Sequence, residues 1–565
     1  LSSRIRSFLA ELKRRKVVRV AVVYVVVGLV VVEAANNFFP NLNLAPWTVT
    51  LVVALTILGF PIALVLAWAL ELTPQGIRVT PPAEPTGAPA TEPDAPVTVR
   101  GPTDDRPCVV VLPFANLSGD PENEFFSDGV TEDIMARLAG IRGLRIISRT
   151  TAMRYKGSGL SVPQIGAELG AQAVVEGTVR RSADRVRVTA QLIAAERDEH
   201  LWADTYDRVL EDVFAVQSDV AENIARALRA ELTPGERERL HRKPTENLEA
   251  YDLCLRGMRV GEPMYPEAVR KAERYFREAI ALDPGYARAY AGLAWTLGLS
   301  GFAAMFASSE VFPQAQAAAR QALRLDPSLA EAHTALAMVA FFHEWDWAEG
   351  LRELGKALEL NPDDSLALGY RGWLLVMLER FAEAEAPLNE AVRLDPLSPL
   401  RRIWLAQLLA YTGRAEEGVA LLDGLLRRDP QAYIALHFRG LCHMYSGNLA
   451  AAARDFDEGI ARFDRFILPV AMRGIVYALA GETERARQFL EELRSRATHE
   501  YADPYYFFAI SVLLDGFDAA FPYLEQMLEA RSCMVGYLRV APRYKELRSD
   551  PRFMNALRTI WPDDF

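Results

Sequence analysis

Cysteine is scarce in this chain: Cys108, Cys254, Cys442 and Cys533 are four among 565 residues. They stand far apart, so they form neither a disulfide framework nor the close pairs of a zinc site. Histidine is nearly as rare, at seven. None sits in an H-E-x-x-H arrangement, and "FFHEWDW" lacks the second histidine. There is no G-x-S-x-G elbow, no Walker lysine loop and no kinase signature. Positive charge is also short. Lys and Arg total 63 against 74 Asp and Glu, a net of −11, which argues against nucleic acid as a partner. Together these deficits point away from an enzyme, and the sequence predicts no catalytic residue, metal or cofactor.

Long apolar runs are present near the start. Residues 17–35 read "VVRVAVVYVVVGLVVVEAA" and residues 49–70 read "VTLVVALTILGFPIALVLAWAL". Each approaches the roughly 20 residues that cross a bilayer, so the sequence predicts a two-helix membrane anchor over 17–70. Arg4, Arg6, Lys13, Arg14, Arg15 and Lys16 precede the first run, and "NNFFPNLNLAPW" between the runs has no Lys or Arg. The positive-inside rule then puts the basic segment 1–16, and everything after the second run, on the cytoplasmic side of a bacterial inner membrane. Residues 71–106 contain many prolines and few large apolar side chains, which reads as an extended linker.

Residues 107–235 alternate strand and helix patterns. "CVVVLPF" and "LRIISR" read as strands, "TEDIMARLAG" and "VPQIGAELG" as helices, and "AQAVVEGTVRR" with "RVRVTAQLIAA" as a hairpin. "LEDVFAVQSDVAENIARALRAEL" reads as a long amphipathic helix. This is a small α/β domain with a mixed sheet. Its first loop, "LPFANLSGDPENEFFSDGVTEDI", has the strand–glycine–helix order of a phosphate cradle. It has no Lys or Arg and carries Asp120, Glu122, Glu124, Asp128, Glu132 and Asp133. Those carboxylates repel a phosphate, so the expected role is a capped turn, with Asp128 or Thr131 as the cap and Gly129 easing the entry.

The remaining chain repeats itself. Pro362, Pro396 and Pro430 each follow Asn or Asp and recur every 34 residues. Gly372, Ala406, Gly440 and Gly474 keep the same interval, as do Gly413, Gly447 and Gly481, and Leu388, Leu422, Phe456 and Leu490. Thirty-four is the tetratricopeptide period. Small residues let paired helices approach, a large apolar residue fills the space beneath the next helix, and proline ends the second helix. Residues 246–530 are therefore expected to form an all-α solenoid of seven or eight repeats, with 531–565 capping it. Counting the small residue as position 8, positions 2, 5, 9 and 12 of the first helices face the concave side. These include Trp295, Met338, Phe341, Trp373, Ile403, Gln407, His437, Leu441 and Met444. The set is apolar and aromatic and predicts a groove for the apolar segment of a protein or peptide partner. The competing expectation is that tight packing, or the chain's own α/β domain, covers these residues.

"VVVLPFANLSGDPENEFFSDGVTEDIMARLAGIRGLRIISRT", followed by "VVEGTVRRSADRVRVTAQLIAAERDEHLWADTYDR", resembles the TolB-like α/β domain of bacterial signalling proteins. "GFPIALVLAWALELTPQGI" resembles the membrane segment of its stand-alone members. The resemblance implies an α/β domain followed by tetratricopeptide repeats, and a role in signalling or scaffolding. In that family the domain is also found fused to class III adenylate cyclase or winged-helix domains, neither of which is legible here. The resemblance carries over no catalytic residues. The sequence as a whole predicts a multidomain, membrane-anchored cytoplasmic scaffold. The alternatives are a regulatory subunit of a separate enzyme such as a nucleotide cyclase, or a relative of transcription regulators without the DNA-binding part.

Overall fold

The computed structural model describes residues 106–120, 123–182, 184–261, 265–462, 467–562 and 564, and scattered positions between 48 and 79. Within residues 1–95, Leu70–Thr73 (β1) and Gly76–Val79 (β2) pair as an antiparallel hairpin, with Leu70 opposite Val79. This corrects the fold class. Among the described residues no helix is long and apolar enough to cross a membrane. The run 17–35 lies outside the described residues, as does most of 49–70. Leu70, expected at the end of a spanning helix, is instead held in a strand pair. The linker survives as an expectation only over 80–105, which also lies outside the described residues. What the described residues form is a helical tetratricopeptide solenoid with a small α/β region before it.

The α/β region carries a six-stranded sheet. Its strands are β3 (Cys108–Val111), β4 (Ala115–Asn116), β5 (Arg145–Ile146), β6 (Ala173–Ser182), β7 (Arg185–Ala194) and β8 (Glu199–Val209). The order is β5-β3-β6-β7-β8, with β4 also pairing β6. β3 is buried throughout and runs parallel to β5 and β6, as a continuous Val run should. β6, β7 and β8 form an antiparallel meander. Gly177 sits in β6 because Phe114 lies on it: a Cβ there would meet the phenyl ring at 2.6 Å. Helices Glu124–Ala139 and Val213–Ala227 pack on the sheet, the latter burying Val213, Val216, Val220 and Ile224.

The acidic loop does something other than the expected capping. The helix begins at Glu124, seven residues before Thr131, and its cap residue Asn123 makes no side-chain cap bond. Thr131 lies inside the helix, where its hydroxyl donates to the Ser127 carbonyl at 2.9 Å and accepts from the Phe114 amide at 3.0 Å. Gly129 is a contact point between helices. A Cβ there would meet Leu255, on helix Leu248–Gly261, at 2.4 Å. Asp128 pairs with Lys156 at 2.5 Å and with Arg259, and Asp133 pairs with Arg288. Asp128 and Asp133 thus face the first repeats and receive Arg259 and Arg288 from them.

Among the described residues eight antiparallel helix pairs follow, from Leu248–Gly261 with Pro266–Leu282 to Pro504–Leu514 with Phe517–Glu529. The sequence columns have clear physical roles. A Cβ on Gly372 would meet Leu388 at 2.4 Å, and one on Gly440 would meet Phe456 at 2.8 Å, so the small column seats the large one within each pair. Gly413, Gly447 and Gly481 turn the chain at φ of 81°, 81° and 75°, which only glycine adopts without cost. Pro327 follows Pro284 by 43 residues instead of 34, and the excess is absorbed by longer helices, Ala287–Phe302 and Ser308–Leu325.

A row of aspartates marks the turns between repeats, most of them just before the turn prolines. The α/β region and the connector after it grip this row one rung at a time. Thr245 donates to Asp283, and Arg242 pairs with Asp326 at 2.9 Å. Arg106 makes a two-pronged pair with Asp363 at 2.7 and 3.0 Å. Thr151 donates to the fully buried Asp395 at 2.7 Å, and Arg154 reaches Asp429 at 2.5 Å. Deeper in the contact, Asp133 also accepts from Gln217 at 3.0 Å and from the Tyr251 hydroxyl.

Arg288→Ala would strand the buried Asp133 without its cation. The expected loss is about 3–5 kcal/mol, measured as a lower midpoint in denaturant unfolding. Gly440→Leu is expected to cost about 1–3 kcal/mol by overpacking Phe456, read as a fall in melting temperature.

Candidate functional site: the covered concave face

The first helices of the second to eighth repeats converge on an apolar cavity of about 290 Å³. Its walls include Phe302, Trp404, Phe438, Leu441 and Met472. The remaining wall comes from the chain's own C-terminal segment through Cys533, Met534, Tyr537 and Arg543. The concave face is thus covered, and by 531–565 rather than by the α/β region.

Specific contacts seat this segment. Trp561 stacks on Trp347 with ring centres 5.2 Å apart and planes 15° from parallel. The Trp347 indole N–H donates to the Ile560 carbonyl at 2.9 Å. Gly536 passes so close to Met377 that a Cβ would meet its sulfur at 2.9 Å. Glu379, held at φ of 58°, faces Arg539 at 3.6 Å and Arg548 at 3.5 Å. The segment is anchored upstream by the fully buried Asp503. Its carboxylate accepts from Ser532 at 2.7 Å and from the Tyr505 amide at 2.9 Å, and burial pushes its pKa up.

Four of the nine residues expected on the concave side line the cavity: Trp373, Gln407, His437 and Leu441. Two of them, Trp373 and Gln407, are joined in a relay with Tyr537. Trp373 donates its indole N–H to the Gln407 carbonyl oxygen at 2.9 Å, and the Gln407 amide donates to the Tyr537 hydroxyl at 3.3 Å. Phe341 lies between Trp347 and Trp373, at 4.4 and 5.3 Å between ring centres. Met338, Ile403 and Met444 are buried and are not part of the cavity wall. Trp295 is half-buried against Tyr370. None of the nine stands open to solvent. Pattern reading missed the contributors from the far end, Tyr505, Tyr537 and Arg543. The only signal for them was the density of aromatics in "YADPYYFFAI" and "GYLRVAPRY".

His437 is the most perturbed titratable group in the wall with a simple cause. Burial alone lowers its pKa to about 3, and its Nδ1 has no hydrogen-bond partner. It is a neutral imidazole between Phe438 and Phe456. Burial also pushes the Cys442 thiol up to about 12 and the Cys533 thiol well above its usual range, so neither is a nucleophile. Asp455 reaches the wall but is committed to Arg439, at 2.5 and 3.0 Å. Among the described residues no group of three or more His, Cys, Asp or Glu is placed to hold a metal ion.

Residues 346–399 and 405–466 match the family model of the tetratricopeptide repeat. The chain therefore carries tetratricopeptide repeats, a fold typical of protein–protein interaction scaffolds. Solved structures similar to it include the yeast Tom70 (17% identical, covering 62% of this chain and 82% of that one, TM-score 0.36) and a tetratricopeptide repeat protein from Parabacteroides merdae ATCC 43184 (17% identical, covering 48% and 100%, TM-score 0.35). Among curated proteins, 188 residues are 43% identical to the "Putative adenylate cyclase 3" of Rhizobium meliloti (strain 1021). The match covers 33% of this chain and 32% of that protein, so the chain spans about a third of its relative's length.

Because the folded pKa of His437 is depressed, the unfolded chain takes up a proton that the folded chain refuses. Stability should fall as pH drops from about 6.5, the unfolded value, towards the folded value of about 3. The slope from this group is about 1.4 kcal/mol per pH unit within that window. His437→Leu should be flatter than the wild type by about that slope, measured by urea unfolding between pH 7 and pH 5.

Proposed function

We propose that this chain is a non-catalytic protein-interaction scaffold whose concave face takes an apolar segment of a protein partner in competition with its own C-terminal segment. The observation that carries the reading is the seating of that segment. The face accepts aromatic side chains, a close glycine contact and flanking arginines from a short helical stretch, so the chemistry it suits is on view in its own occupant. The α/β region, read as TolB-like, braces the repeats and contributes no catalytic group to this face. Nothing in the cavity wall supports catalysis, since its one thiol, Cys533, is protonated, its histidine is neutral and its carboxylate is paired.

A second reading has one observation behind it. About a third of a protein named as a cyclase is shared with this chain. On that reading the shared part is an accessory module, and this chain modulates a nucleotide cyclase supplied by another polypeptide. Adding the purified chain to such a cyclase would then change its rate, and an unchanged rate would remove this reading.

The scaffold reading is tested by crosslinking capture with the full chain beside Trp561→Ala. Losing the ring stack on Trp347 costs about 0.5–1.5 kcal/mol beyond the area lost. A partner that competes with the segment should therefore be captured several-fold more by the variant. Equal capture by both would place the partner elsewhere on the molecule. No protein captured above an unrelated solenoid control would end the scaffold reading.

A further inference from the structure

The apolar cavity contains one feature that a merely well-packed interior would avoid. Arg543 contributes to its wall, and a guanidinium stays protonated at every physiological pH. It has five N–H donors. Nη2 donates to the Tyr505 hydroxyl at 2.5 Å, and the Tyr445 and Tyr544 hydroxyls also stand against the guanidinium, so its polar neighbours are neutral phenols. The Arg543 Nε is buried and has no hydrogen-bond partner. The group lies over the Tyr544 ring, 4.8 Å from its centre. Among the described residues no carboxylate lies within ion-pair distance of it. Asp455, which reaches the same wall, is committed to Arg439, and Asp503, two residues before Tyr505, accepts from Ser532, Tyr505 and Tyr501.

Arg543 is partly buried with its Nε fully so, and a cation kept at an apolar wall without a counter-ion is costly. Here it stands at one side of a cavity whose other walls are Phe302, Trp404, Phe438, Leu441, Phe456 and Met472. The cavity volume, about 290 Å³, is at the lower end for small-molecule sites, about 300 Å³. The unpartnered Nδ1 of His437 adds a single neutral polar point to the same wall.

We infer that this cavity is a binding site for a small amphipathic monocarboxylate, its carboxylate paired with Arg543 and its apolar body lying among the aromatic side chains of the first helices. The charge count favours a monoanion. One guanidinium balances one carboxylate in the two-pronged geometry it prefers, whereas a phosphate monoester dianion would leave a negative charge buried in an apolar wall. The site is made jointly by the solenoid and the C-terminal segment. It does not depend on a protein partner, and it goes beyond the scaffold reading.

The test uses the full chain and three probes of equal length: decanoate, decanol and decylamine. Binding is read by titration calorimetry and by quenching of the tryptophan fluorescence that Trp373 and Trp404 contribute. Decanoate should bind saturably, one per chain, and at least about tenfold more tightly than decanol, as expected for one charge-assisted pair. Decylamine should be weaker still. Arg543→Gln should remove the preference for decanoate over decanol, and Leu441→Trp, which fills the cavity, should weaken both. Circular dichroism and melting establish that each variant is folded. If Arg543→Gln does not fold, the ranking of the three probes on the wild type decides by itself. Equal affinity for decanoate and decanol, or no saturable binding of decanoate to the folded wild type, would overturn the assignment.

Discussion

A pair of antiparallel helices buries one apolar face between its members and leaves a second face uncovered. Most of what is distinctive in this molecule concerns what covers that second face. Along the stack, the next pair does so, with Gly369 admitting Trp404 of the following pair. On the concave side the stack has no next pair, and the C-terminal segment lies there instead, through the Trp561–Trp347 stack and the Gly536–Met377 approach. At the start of the stack the α/β region meets the first pair, with Leu255 set against Gly129. One geometric need is met three ways by different parts of the same chain.

The polar contacts follow a different rule. Where the α/β region meets the repeats, charges are paired in depth: Asp133 with Arg288, Tyr251 and Gln217, and Asp128 with Lys156 and Arg259. Buried ion pairs add little net stability but penalise wrong arrangements heavily. They suit a contact that must form in one register. In the concave face the reverse holds. Its wall is almost wholly apolar, its polar groups are few, and Arg543 is left without an acid. The first contact is fixed by paired charges, and the second is packed almost wholly by apolar surface.

The repeats were legible in the sequence because their constraints are local and recur every 34 residues. The turn glycines and the small–large columns have the roles their spacing implied. The α/β core was legible from β3 and the β6–β7 hairpin, whose Val runs are buried. β8 was missed because it is an edge strand exposed along most of its length, with only Tyr206 buried. The start of the helix at Glu124 was misplaced because its opening "EFFSDG" places Ser, Asp and Gly where a turn would have them. The acidic loop was read by what it would repel, a phosphate, when its partners were arginines more than a hundred residues away. Long-range pairing of that kind leaves no local trace. For the same reason the concave-face positions could be enumerated from periodicity while their covering, and the approach of Arg543, could not.

The row of aspartates at the inter-repeat turns has a mechanical consequence. A stack of helix pairs behaves as a spring, because small rotations between neighbours add up along its length. Here one edge of the spring is tied, rung after rung from Asp283 to Asp429, to residues of the α/β region and its connector. A coil with an inextensible strip along one edge cannot lengthen or unwind there. Its compliance is confined to the turns beyond Asp429. The helices on that side carry His437, Met472 and Tyr505, so any opening of the cavity would begin at the end of the coil that is free to bend.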